Sequence, residues 1–236
     1  MKGKLSRVLP LGLALICLGA AFLTVGCGGS GSAHFRFVQA STSVPNNVDL
    51  QVDGKTVQTA VGFGQTATYR TISSGSRKFE LFATGTTTNP YVSASVSIPS
   101  GNTTVIAENP FASIGLNVYT DDITAPTTGN AKLRIINASP TAPLSQGIDV
   151  YVVPTGQGIG GFSPQITSLT FQNASSYLSL AASNYDVIMT VTGTQNILSG
   201  LTGTYNLTAG QIRTIVVIDA PFGGGPFSQL LLNDLN

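Results

Sequence analysis

Tryptophan is missing from this chain of 236 residues, histidine occurs once and cysteine twice. Each shortage removes chemistry. His34 is the sole imidazole, at the start of an expected strand, so a Ser-His-Asp arrangement has almost no candidate base. Without a His/Cys cluster no zinc site can be assembled. Cys17 lies within an apolar N-terminal run, so a chain cut before Cys27 retains one thiol and no internal disulfide. Charge is scarce as well: Asp, Glu, Lys and Arg are 9% of the residues, against about a quarter in soluble domains. With Lys2, Lys4 and Arg7 set aside, 8 basic residues face 10 acidic ones, a formal −2. That balance argues against nucleic acid, which requires a basic face.

What is present begins with an export signal. Lys2, Lys4 and Arg7 form a basic n-region, VLPLGLALICLGAAFL (8–23) is an apolar h-region, and small residues follow up to Gly26. The run from Val8 to Val25 is nearly long enough to span a bilayer, so a retained helix or plain secretion stand as alternatives. Pro10 and the abrupt GGSGSA (28–33) favour cleavage. LTVGC (23–27) resembles the lipobox of bacterial lipoproteins, with Thr24 where that motif usually has Leu. The resemblance implies a signal peptide of residues 1–26, a lipid on Cys27 that anchors the chain to the membrane, and a tether of 27–33. Gly28 in place of Asp is similar to lipoproteins sorted to the outer membrane of Gram-negative cells. Six flexible residues span about 14 Å, which sets a first domain near the membrane and a second beyond it.

After Cys27 no segment carries a helical apolar period. Short alternating runs are cut by Gly, Pro, Asn or Ser every 8–12 residues, the pattern of a β-sandwich or barrel. In HFRFVQ, Phe35 and Phe37 face one way while His34, Arg36 and Val38 face the other. VDLQVD (48–53) puts Val48, Leu50 and Val52 inward, and DGK (53–55) reads as a tight hairpin turn. The series gives about seven strands by residue 121. The order then repeats. KLRIINAS matches HFRFVQAS at an offset of 98, IDVYV matches VDLQV at 100, YDVIMTVTGT answers RKFELFATGT at 108, and DAPF echoes ENPF at 111. A period near 100 residues is too long for a solenoid and indicates a duplicated domain, 34–122 and 131–236, joined by a linker at 123–130. The expected fold is all-β: two tandem immunoglobulin-like, Greek-key antiparallel β-sandwiches.

The stretches LRIINASPTAPLSQGIDVYV (133–152) and FRFVQAS…NNVDLQVDGK (35–55) resemble the DUF4397 domains of bacterial envelopes. That family, of unknown function, opens on a strand ending His-Ala-Ser-Pro-Asp-Ala-Pro, followed by Val-Asp-Val-Tyr-Val-Asp-Gly. The motif histidine corresponds to Gln39 in the first copy and Asn137 in the second, so any chemistry resting on it is lost from both.

Arg36 with Asp49, and Arg134 with Asp149, occupy matching places on strands expected to be neighbours, which predicts two cross-strand ion pairs. GQGIGG (156–161), with Gly156 and Gly158, superficially resembles a phosphate loop, but a strand follows where a helix N-terminus is needed. It reads better as a flexible hairpin tip, and with Phe162, Phe222 and Phe227 it marks candidate binding loops. Asp121 and Asp122 are the one acidic pair to weigh for Ca²⁺, without the repeated spacing such a site needs. No cofactor and no metal are expected. The composition points to a non-catalytic envelope module that binds a polysaccharide or an envelope protein; the alternative is a spacer without a specific ligand. A hydrolase is a distant third, needing two carboxylates about 5–10 Å apart in a cleft.

Overall fold

The computed structural model describes Gly3, residues 31–143 and residues 146–235. Apart from Gly3, the signal segment lies outside the described residues, as does Cys27. Eight strands fill the first half: β1 (Ser32–Gln39), β2 (Val48–Val52), β3 (Lys55–Val61), β4 (Arg70–Ser73), β5 (Gly75–Ala83), β6 (Val92–Ile98), β7 (Gly101–Glu108) and β8 (Gly115–Asp121). They form two sheets, β4-β1-β7-β8 and β3-β2-β5-β6. The second half holds β9 (Asn130–Asn137), β10 (Ile148–Pro154), β11 (Ile166–Leu169), β12 (Asn173–Ala174), β13 (Leu178–Ala181), β14 (Ser183–Val191), β15 (Ile197–Leu207), β16 (Ile212–Ile218) and β17 (Ser228–Leu235). Its sheets run β12-β9-β16-β17, with β13 also on β9, and β11-β10-β14-β15. The strand order of the first half is thus repeated. The sheets are not purely antiparallel as expected: β1 pairs parallel with β7, and β9 with β16. Ser32 and Ala33, expected in the tether, already belong to β1.

Alternation builds each core. Phe35, Phe37, Val48, Leu50 and Val52 meet Phe79 and Val105 between the first pair of sheets, with Phe35 edge-on to Phe79 at 5.4 Å. Leu133, Ile135, Ile148, Val150 and Met189 do the same between the second pair. Asp53 and Gly54 both have positive φ, 50° and 75°, the backbone a two-residue primed hairpin turn requires between β2 and β3.

One inward position differs between the sandwiches. Gln58, opposite Leu50 on β3, is 5% exposed, and among the described residues neither end of its amide has a hydrogen-bond partner. Ile166, opposite Val150, takes that place in the second sandwich and packs on its core. A buried amide without partners costs about 1–3 kcal/mol. Gln58→Ile is therefore expected to raise stability by about that amount, read as a higher urea midpoint with unchanged m-value.

The sandwiches do not stand end to end. They meet through the outer faces of the sheets holding β1 and β9. Val38, Ala40, Ile106 and Tyr119 of the first pack with Ile136, Ala138, Val216, Ile218 and Leu232 of the second. Through this layer runs a pseudo-twofold polar network. The Arg36 guanidinium donates through Nε to Thr104 Oγ1 (2.8 Å), through Nη1 to Asn233 O (3.0 Å), and through Nη2 to the Asp234 carboxylate. Arg134 repeats this through Nε to Thr214 Oγ1 (3.2 Å), through Nη1 to Thr120 O (2.8 Å), and through Nη2 to Asp121. Tyr69 donates to Asp121 and lies under Arg36; Tyr177 donates to Asp234 and lies under Arg134.

The expected pairs Arg36–Asp49 and Arg134–Asp149 are therefore absent. β1 and β2 lie in opposite sheets, as do β9 and β10, so the residues are not cross-strand neighbours. Asp49 instead accepts the N–H of Ala60 (2.8 Å) and of Gly85 (2.9 Å). Asp149 accepts those of Ser168 (2.8 Å) and Gly193 (2.8 Å). Each carboxylate ties a positive-φ residue in an edge strand to a turn of the same sheet.

Glu108, 0% exposed, sits one residue past Ala107 on β7, where β16 carries Ile218 one past Val217. It accepts from Tyr119 Oη and Asn117 Nδ2, both at 2.6 Å. Burial pushes its carboxyl up to about 7, against those donors and Gln172 of the second sandwich, which pull it down. A carboxyl raised on folding stabilises fully below its unfolded pKa and loses that contribution as pH rises through the folded one. Stability is expected to fall by about 3 kcal/mol between pH about 4.5 and 7 on this account. Glu108→Gln should flatten that window and raise the urea midpoint at pH 8 relative to the unchanged chain.

Candidate functional site

At one end of the molecule the two sandwiches share a cleft of about 310 Å³. β1 ends there at Gln39, and the segment to β2 supplies Ser41, Ser43, Asn46 and Asn47. β16 ends there too, and the segment to β17 supplies Pro221 and Phe222. The Ser43 N–H donates to Pro221 O at 2.7 Å, joining the two segments by their backbones.

The loop bearing Phe222 is braced from behind. Asp219, 1% exposed, accepts from the hydroxyls of Ser139 and Thr141 (2.9 Å to the latter) and from the Gly224 N–H (3.2 Å). Ala220 N donates to Gly224 O and Gly223 N to Ala220 O, each at 2.8 Å. Gly223 and Gly224 have φ of 91° and 72°, which β-branched or bulky residues adopt only with strain. A ring on this loop is thus held outward by backbone rather than by packing.

Phe222 is 89% exposed. Its counterpart in the ENPF/DAPF match is Phe111, 36% exposed and edge-on to Tyr91 at 4.9 Å. The ring is partnered in the first sandwich and bare in the second, beside amides and hydroxyls. Among the described residues the Ser43 hydroxyl and the Asn47 amide make no hydrogen bond, and Asn46 makes one, from Nδ2 to Tyr91 Oη at 3.3 Å. No ionisable side chain lines the cleft.

The other candidate loop residues do not join Phe222. β10 starts at the cleft end and runs away from it, so Gly156, Gly158 and Phe162 sit at the opposite end of the second sandwich. That loop is not a free tip. Ile159 is buried on Tyr151, Val153 and Ile188, and the Gly156 N–H donates to Asp186 at 2.8 Å. Phe227 leaves the cleft loop and packs on the second core, its N–H bonded to Ser199 O at 2.9 Å. The two members of the Asp121–Asp122 pair are also engaged separately. Asp121 takes Arg134, Thr104 and Tyr69, while Asp122 takes Lys132 at 2.8 Å and Thr124. Sequence reasoning passed over the cleft segment Ser41–Asn47; its signal was a run of small polar residues and paired amides, TSVPNN (42–47).

The family model for DUF4397, a domain of unknown function, matches residues 33–151. The chain belongs to this family. The match runs through the first sandwich and into β10. At the DUF4397 histidine position, Gln39 Oε1 accepts the Ser41 N–H (2.9 Å), and Asn137 Oδ1 likewise accepts that of Ser139 (3.1 Å). In this DUF4397 protein the position shapes the bend after the opening strand. No curated protein is similar in sequence to this chain. Among solved structures, the TIE protein of Bacillus anthracis is 12% identical over 80% of this chain, at TM-score 0.26. This chain spans 34% of that protein's length. The module CBMbc (family CBM26) from Eubacterium rectale Amy13K, in complex with maltoheptaose, is 8% identical over 87% of this chain and 98% of its own, at TM-score 0.28. TM-scores this low establish no shared fold.

Proposed function

We propose that this chain is an exported, lipid-anchored cell-envelope protein, with a second DUF4397-like copy at 131–236, whose role is non-catalytic binding. The basic n-region, the apolar run and LTVGC ending at Cys27 support the anchor. The four ordered sequence matches and the repeated strand order support the second copy. Phe222 carries the binding reading: a ring with no internal partner, on a braced loop, over a cleft to which both sandwiches contribute. The placement suits presentation. β1 begins at the tether and ends at the cleft, about 26 Å away for eight residues at 3.3 Å each. Asp121 and Asp234 both lie within 4 Å of Arg36, but their side chains are sealed from solvent, which disfavours hydrolysis there.

The test is photocrosslinking in the native cell from a benzoylphenylalanine at position 222, with exposed Ile197 on β15 as the control site. Adducts at 222 and none at 197 are the expected outcome. Equal or absent adducts at both sites would leave a spacer as the better reading.

A further inference from the structure

We infer that the cleft takes an uncharged saccharide, with Phe222 stacking on the apolar face of a sugar ring. This deepens the binding reading and rests on it. A pyranose presents C–H groups on one face and hydroxyls around its edge, each both donor and acceptor. Phe222 offers an open aromatic face at 89% exposure, and Ser43, Asn46 and Asn47 are exposed beside it with hydrogen-bonding capacity to spare. Amides and hydroxyls donate and accept alike, which matches hydroxyls and not a fixed charge. The lining holds no Lys or Arg to neutralise an anion and no Asp or Glu to hold a cation. An ionic ligand would lose its hydration there without an ion partner, which is costly. A greasy peptide anchor fits less well: of the two rings in the lining, Phe63 is packed on the apolar layer between the sandwiches, and Phe222 stands open among exposed amides and hydroxyls. The braced loop lowers the ordering cost of binding, since the Asp219 and backbone bonds already hold Phe222 in place.

The duplication argues for a single such site. In the first copy Tyr91 covers Phe111, so the equivalent ring is already engaged. One open ring and a few amides give one saccharide subsite. Binding should be weak for a monosaccharide and stronger for a polymer that brings many copies of the sugar to a membrane-anchored array.

The full chain in non-ionic detergent is run by affinity electrophoresis through gels containing dextran, mannan or laminarin, and through gels containing alginate or polygalacturonate. Retardation by at least one uncharged polymer is expected, unchanged by 0.5 M salt. Phe222→Ala and Asn47→Ala should each weaken it about tenfold, roughly 1.4 kcal/mol. Both side chains are exposed, so neither variant should disturb folding, which the unchanged urea midpoint verifies. Retardation only by the anionic polymers, retardation by none, or retardation indifferent to Phe222→Ala would each overturn the saccharide assignment. If photocrosslinking at 222 captures a protein in that case, the binding reading stands and only the ligand class falls; if it captures nothing, both fall.

Discussion

Asp234→Ala is expected to destabilise the chain by about 3–5 kcal/mol, and Asp121→Ala by a similar amount. Each carboxylate is the charge partner of an arginine reaching across from the other sandwich, and both pairs are almost wholly buried. Removing Asp234 leaves Arg36 with hydrogen bonds to Thr104 and Asn233 O but little opposing charge, since Asp121 is 3.9 Å away and engaged by Arg134. Tyr177 loses its acceptor as well. The cost is the uncompensated buried cation, not the worth of the pair. Replacing Arg36, Arg134, Asp121 and Asp234 together by Met and Leu should therefore cost far less than either single change. Urea unfolding of the three proteins decides it. Single variants within 1 kcal/mol of the parent would mean the interface opens to water. Because the cleft is built from both sandwiches, the single variants should also weaken its binding while leaving Phe222 itself untouched.

Gly200→Ala is expected to lower stability by about 3 kcal/mol or more, a drop in Tm of about 6–12 °C for a chain of this size. Gly200 lies on β15 with φ +87°, and an added Cβ would stand 1.9 Å from the carbonyl oxygen of Phe227. The obstacle is backbone, so no rotamer relieves it. β15 and the start of β17 would have to separate, pulling on the loop that carries Phe222. Gly75, with φ +107° and nothing within 4 Å of its added Cβ, is the matched control. Gly75→Ala should cost only the backbone preference, about 1–2 kcal/mol. Equal melting temperatures for the two variants would show that contact with Phe227 is not what requires glycine at 200.

Much of the fold was legible from local pattern. Period-two alternation assigned Phe35, Phe37, Val48, Leu50 and Val52 to the core correctly, because a strand in a sandwich buries one face whatever its neighbours are. Asp53-Gly54 named its turn because the primed geometry needs positive φ at both positions. The site was harder to see. Phe222 was visible as one aromatic among three in Gly-rich loops, but grouping it with Phe162 failed, since loop composition does not say which end of a sandwich a loop occupies.

What the amino-acid order determined by itself was the class of strand, the places of the turns and the existence of two matching halves, all set by interactions within a few residues or by direct repetition. What only the tertiary structure decided was partnership. Arg36 is read from sequence as an outward charge at a sheet surface, and so it is, but that surface is covered by the other half of the chain. Its partner Asp234 lies 198 residues away. Nothing local encodes that distance, because side-chain alternation specifies a face and not what the face meets.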